Sequence, residues 1–146
     1  MSRIRPSVPQ DIDGLVELWL QESLTAHPFI DAEYWRTNAE EMKTKYLPKA
    51  DTVVIEEDGR VAGFVSMVDD YMAALFIDSR HQKKGLGKQL LAHVKQDRTA
   101  IRLQVYRQNE QAVRFYEKQG FRIEEETIDE ATSTEEYGMV WMRNHE

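Results

Sequence analysis

Residues 51–77, DTVVIEEDGRVAGFVSMVDDYMAALFI, constrain the fold more than any other stretch of the chain. The run reads as three strands, 52–57, 61–68 and 71–77, broken at Asp58-Gly59 and at Asp69-Asp70. Asp-Gly between two apolar runs is a strong hairpin signal, because the tight turn it favours needs positive φ at both central residues.

On either side the period changes from two to that of a helix. A short strand is expected at 3–8. Pro9 then suits a first helical position, Asp11 and Asp13 sit in the opening turn, and Ile12, Leu15, Val16 and Trp19 recur at helical spacing. Pro28 interrupts, and a second helical segment over 32–46 stops before Pro48. After the strands, Leu86, Leu90, Leu91 and Val94 share one helical face, and IRLQVY at 101–106 alternates as a strand. EQAVRFYEKQG is a helix closed by Gly120, and strands at 121–129 and 136–143 finish the chain. Strand, helix, strand, helix in the middle requires a parallel crossover, hence an α/β fold with a mixed sheet and helices on both faces. Without an internal repeat or long linker, residues 1–146 are expected to form a single domain.

A chain of 146 residues, 41% hydrophobic and 31% charged, suits one soluble core. It has no run of 18 apolar residues, so no membrane helix is expected, and its start lacks the apolar segment of a signal peptide. The absence of cysteine excludes disulfides, thiol catalysis and cysteine metal sites, and fits a cytoplasmic location. His81, His93 and His145 have no metal-ligand spacing. Net charge is −7, yet residues 80–122 carry eleven Lys or Arg against three acidic residues. That segment points to an anionic ligand. The overall acidity, and the lack of a basic stripe interleaved with aromatics, argue against nucleic acid.

The basic segment opens with HQKKGLGKQLL, residues 81–91. A triphosphate-binding loop would place glycine at Gln82 and a hydroxyl residue at Gln89. A dinucleotide fingerprint would need glycine at Leu90. What remains is Gln82-x-x-Gly85-x-Gly87 ahead of a helix, with Lys83, Lys84 and Lys88 around it. Glycines there let the backbone approach a ligand, and the N–H groups of a helix start converge on an anion. A plain helix start has the same appearance. Asn109 reads as an N-cap, and Tyr116 lies two turns on, on the same face. Taken singly they are a cap and a core aromatic.

Taken together, the strand AALFI, the Q-x-x-G-x-G helix start, a further strand and N-x-x-A-x-x-F-Y-x-x-x-G-F closely resemble the GNAT N-acetyltransferase superfamily. HPFIDAEYW, DYMAALFID and VYRQNEQAVRFYEKQGF are similar to small enterobacterial-type members, some of them proposed to acetylate protein lysines. The resemblance implies a mixed, mostly antiparallel sheet of about seven strands with a central splay that takes acetyl-CoA. It implies cofactor contacts from the backbone of Leu75, Phe76 and Ile77, and from Gln82, Lys83, Lys84, Gly85, Leu86, Gly87 and Lys88 at the pyrophosphate. Asn109, Phe115 and Lys118 complete that set. Arginine often stands in this family where Gln82 stands here. Tyr116 would be catalytic beside the thioester sulfur. His27 would be a candidate base, with Asp69 and Asp70 as others, and His27, Phe29 and Tyr71 would line the acceptor pocket. No metal is implied, and a monomer or weak homodimer is compatible.

The chemistry suits these residue types. A primary amine attacks the thioester directly, and a strand N–H near Leu75 can hold the oxyanion. The CoA thiol titrates near pH ~8.5 and tyrosine near ~10, so a neutral Tyr116 can return the proton. A lysine amine of pKa ~10.4 costs on the order of 4–5 kcal/mol to deprotonate at neutral pH, so a base or water chain must help. Residues 124–136 hold seven carboxylates and no Lys or Arg. That hairpin is either a solvated tip or an attraction for a cationic acceptor: a protein lysine, a polyamine or another small amine.

Overall fold

The computed structural model describes residues 2–82 and 84–143, so the expectations placed on Lys83 and His145 lie outside the described residues. Seven strands form one sheet in the order β1-β2-β3-β4-β5-β7-β6. The strands are β1 (Ser2–Pro6), β2 (Asp51–Glu57), β3 (Arg60–Val68), β4 (Tyr71–Ile77), β5 (Ala100–Tyr106), β6 (Arg122–Asp129) and β7 (Thr134–Met142). Among the described residues four α-helices accompany them: α1 (Ile12–Ala26), α2 (Ala32–Glu41), α3 (Leu86–Lys95) and α4 (Glu110–Lys118). Every neighbouring pair is antiparallel except β4 and β5.

The expected turns form for the expected reasons. Asp58 and Gly59 take φ of 54° and 82°, the pair of positive angles that a tight hairpin between β2 and β3 demands. Gly120 (φ 94°) ends α4. There the N–H of Phe121 bonds the carbonyl of Tyr116 and that of Gly120 the carbonyl of Glu117, satisfying orphan carbonyls of the last turn. Two helices differ from expectation. Pro9–Asp11 form a separate 3₁₀ turn, held by Asp11, whose carboxylate accepts from Val8 N–H and pairs with Arg5. α2 stops at Glu41, and the chain widens into a π-turn over Met42–Tyr46 before Pro48.

Apolar residues sort onto the two sheet faces. Val53, Ile55, Val65, Leu90, Leu91, Ile101, Leu103 and Met139 form a core beneath α3 and α4. Leu15, Met42, Leu47, Val54, Phe64 and Ala74 form a second beneath α1. Leu86, Leu90, Leu91 and Val94 are all buried, so the predicted face of α3 is the packed one.

One seam breaks the sheet. Between β4 and β5 only Tyr71 and Arg102 stand in register, with Arg102 N–H donating to the carbonyl of Asp70 at 2.9 Å. The strands separate from there on. Asp78 N–H bonds Ala62 O, which fixes the alternation along β4. Phe76 and Ala74 therefore spend their backbone groups on β3, whereas Leu75 and Ile77 turn theirs toward the gap.

Candidate active site

A cleft of about 800 Å³ opens at this seam, within the size range of small-ligand sites. β4 contributes residues 71–76, β5 contributes 103–106, and the α4 face contributes Asn109, Ala112 and Tyr116. α1 and α2 close one side with Trp19, Ser23, His27, Tyr34 and Trp35, and the β6–β7 hairpin adds Asp129 and Glu136.

Three of the polar residues singled out on sequence grounds, His27, Asn109 and Tyr116, come together here. Asn109 caps α4, its Oδ1 accepting from Ala112 N–H at 3.4 Å, while its amide nitrogen lies 3.4 Å from His27 Nε2. Tyr116 packs edge-on against Phe115 and Phe121, and its phenol oxygen has no hydrogen-bond partner among the described residues. Burial pushes that phenol above its ordinary pKa, so it is protonated at neutral pH.

His27 departs from a reactive base. The ring stacks on Trp35 at 5.0 Å and meets Tyr106 and Phe29 edge-on. Burial lowers its pKa to about 4, so the imidazole is uncharged at neutral pH and a weak proton acceptor. Asp69 and Asp70, the other candidate bases, lie in the β3–β4 turn and do not line the cleft. Phe29 sits behind the lining against His27 and Tyr106, whereas Tyr71 is on it, its hydroxyl donating to Gln104 Oε1 at 3.1 Å.

At the far end of β4 the chain turns through Ser79–His81 and reaches Gly85, which is left-handed (φ 78°) as N-cap of α3. The first helix-type bond runs from Gln89 N–H to Gly85 O, which leaves the N–H groups of Leu86, Gly87 and Lys88 ahead of it. Gly87 has a packing reason to be glycine, since a Cβ there would stand 3.3 Å from Phe115 Cζ. Phe115 thus borders this turn from α4. Lys84 is exposed and 3.9 Å from Glu57, while Lys88 is exposed and carries no ion pair among the described residues. Lys118, exposed at the last turn of α4, is not brought to the cleft. The Gln82 side chain is engaged locally, donating to Ile77 O at 3.1 Å.

Sequence reasoning missed Tyr34, Trp35, Tyr106, Asp129 and Glu136 as individual site residues. The aromatic pair in AEYW, six residues after Pro28, was the available signal for the first two. Tyr106 donates to Asp129 Oδ2 at 2.5 Å, and burial with that bond raises its pKa. Burial and the nearby Asp129 raise the Glu136 carboxyl, and Tyr71 is raised by burial and by both carboxylates. Of the seven carboxylates in 124–136, these two alone line the cleft. Neither is ion-paired among the described residues, whereas Glu124 pairs with Arg102 and Glu135 with Arg107. Lys45 and Lys49 also line the cleft, from the α2–β2 connection, and Lys45 pairs with Glu41. No group of three or more His, Asp or Glu among the described residues is placed to hold a metal.

Known proteins share this fold. The chain is 35% identical over 139 residues to the peptidyl-lysine N-acetyltransferase YiaC of Escherichia coli K12, covering 94% of this chain and 95% of that protein. The solution structure of apo YjaB from Escherichia coli superimposes with a TM-score of 0.86 at 28% identity, over 97% of each chain. The PaiA N-acetyltransferase of Thermoplasma acidophilum, solved in complex with coenzyme A, shares the fold at a TM-score of 0.82 and 22% identity, over 98% of this chain and 99% of that one. The acetyltransferase (GNAT) domain profile matches residues 14–137, and with that match the open edge of β4, facing an asparagine and a tyrosine of α4, acquires its family: this chain belongs to the GNAT acetyltransferases.

Proposed function

We propose that this cytoplasmic, single-domain enzyme transfers the acetyl group of acetyl-CoA to the side-chain amine of protein lysine. The observation that carries the reading is the open edge of β4, whose gap-facing Leu75 lines a cleft shared with Asn109 and Tyr116. An edge of that kind offers a strand's N–H and C=O groups to an extended ligand with amides of its own, as the pantetheine arm is. The helix start at Gly85–Lys88 offers N–H groups, and Lys84 and Lys88 positive charge, to its phosphates.

Each residue then has a task. The Leu75 N–H holds the thioester oxygen as charge develops on it. The acceptor nitrogen bonds to the acetyl carbon, the carbon–sulfur bond breaks, and the departing thiolate takes a proton from the Tyr116 hydroxyl, which burial keeps protonated and which solvent reprotonates afterwards. Asn109 orients the arm from the α4 cap, and the stacked His27–Trp35 pair walls the acceptor side. With His27 held neutral and weakly basic, the acceptor's proton leaves through water. Glu136 and Asp129 supply negative charge to a cationic acceptor, and YiaC, named a peptidyl-lysine N-acetyltransferase, supports lysine as that acceptor.

The test has two arms. Acetyl-CoA should raise the unfolding temperature, whereas an oligonucleotide should not. Release of CoA thiol should then be fastest with lysine-containing peptides in a panel that includes free amino acids, polyamines and aminoglycosides. Faster turnover of any small amine would replace protein lysine as the acceptor. No stabilisation by acetyl-CoA would remove the cofactor reading itself.

A further inference from the structure

Glu22, on α1, is absent from the residues assigned above, yet it touches the cofactor side of the molecule. Its Oε2 accepts from the backbone N–H of Ser79 at 3.0 Å, and its Oε1 accepts from Gln82 Nε2 at 3.3 Å. The same Gln82 nitrogen donates to Ile77 O at 3.1 Å, the last gap-facing carbonyl of β4. The carboxylate therefore holds two points directly, the turn after β4 and the residue that opens the Gln82-x-x-Gly85-x-Gly87 motif, and through Gln82 it reaches a third, the end of the open strand edge.

The contacts run across 57 and 60 residues of sequence, so they are tertiary and not a local turn habit. Glu22 is half-buried, and no lysine or arginine pairs with it among the described residues. Asp78 holds the other side of this turn, accepting from Arg80 N–H at 2.9 Å and pairing with the Arg80 guanidinium. An acidic side chain aimed at the approach to a phosphate site is electrostatically adverse unless it does something else there. Here it occupies one N–H and one amide donor and so fixes the direction in which the chain leaves β4 for Gly85.

We propose that Glu22 is a positioning residue for cofactor binding, holding the Ser79–Gln82 turn so that the α3 N–H groups face the phosphates before the cofactor arrives. This rests on the acetyl-CoA reading above. Preorganisation of this kind lowers the ordering cost of binding and leaves the chemical step alone. Electrostatics predicts the opposite sign, since removing a negative charge near phosphates should tighten binding.

The experiment measures KM for acetyl-CoA, kcat, and acetyl-CoA affinity by titration, for the wild type, Glu22→Ala and Glu22→Gln. Glu22→Ala should raise KM and Kd for acetyl-CoA about fivefold, the loss expected for two exposed hydrogen bonds to a carboxylate, with kcat within about twofold. Glu22→Gln, whose amide oxygen still accepts from Ser79, should recover part of that loss. In a Glu22→Ala background, Gln82→Ala should add less than it does alone, because the two side chains act through one contact. Unchanged or tighter acetyl-CoA binding in Glu22→Ala overturns the inference, as does additivity with Gln82→Ala. Should Glu22→Ala unfold, Glu22→Gln and Gln82→Ala alone carry the same comparison. A wild-type protein that binds no acetyl-CoA would instead overturn the functional reading beneath it.

Discussion

The sheet has two halves that solve different problems. In the half from β1 to β4, β3 is buried from Ala62 through Met67, with neighbours on both edges and apolar cores on both faces. In the half β5-β7-β6, β5 alternates from Ile101 on: Ile101, Leu103 and Val105 are buried, while Arg102 and Gln104 are exposed. β6 is exposed along most of its length. The first half is a packed support. The second bares a polar face beside the seam, and Gln104, Tyr106, Glu136 and Asp129 are among its residues that line the cleft. A site for a charged acceptor belongs on the half that did not fill its second face.

The sharpest test of that division is Tyr116→Phe, at the seam itself. It should lower kcat at least about 100-fold, the scale of lost acid catalysis, while acetyl-CoA affinity and unfolding temperature stay close to wild type. A rate within a few-fold of wild type would leave Tyr116 as packing alone.

His27 ties the first half's helix to the seam, and its effect is read in stability. Its folded pKa near 4 lies below the unfolded value of ~6.5, so between those values the unfolded chain binds the extra proton. Stability should therefore fall as pH drops from about 6.5 to 4, by about 2–3 kcal/mol from this residue. Denaturant melts at pH 7 and pH 4.5 should show that loss shrinking in His27→Phe.

Within the support, Gly63 stands opposite Ile77, and a Cβ there would lie 2.7 Å from the carbonyl oxygen of Phe76. Gly63→Ala should cost about 2 kcal/mol by overpacking and, by displacing β4, weaken acetyl-CoA binding as well. A destabilised variant with intact binding would show that the strand edge tolerates movement.

The smallest effect should come from the bare face. Glu136→Gln should raise KM for a lysine peptide about fivefold at low ionic strength, with the difference fading as salt is added. Acetyl-CoA affinity should not change. A fall in kcat with constant KM would make Glu136 the base instead.

Most of the architecture was legible because local chemistry and tertiary structure agree. Asp58-Gly59 specifies its hairpin, Gly120 its helix end, and the 86, 90, 91, 94 spacing its buried face. The ends of α1 and α2 were less legible, since the Arg5–Asp11–Glu56 cluster and the π-turn before Pro48 depend on partners distant in sequence or on packing. At the site, Asn109 and Tyr116 could be read from one helix. Glu136 could not be told from its six acidic neighbours, because only the β5–β7 register, with Tyr106 opposite Glu136, decides which carboxylate faces the cleft. His27 was visible, but its neutrality comes from Trp35, Tyr106 and Phe29 closing around it.

The strand order also bears on how the molecule is made. β2, β3 and β4 pair with their sequence neighbours, so that part of the sheet can begin to form soon after residue 77 has left the ribosome. β7 is the last strand in sequence, yet it lies between β5 and β6 and supplies the pairing for both. The far wall of the cleft therefore waits for synthesis to reach Met142, and the enzyme is expected to acquire its acceptor side last.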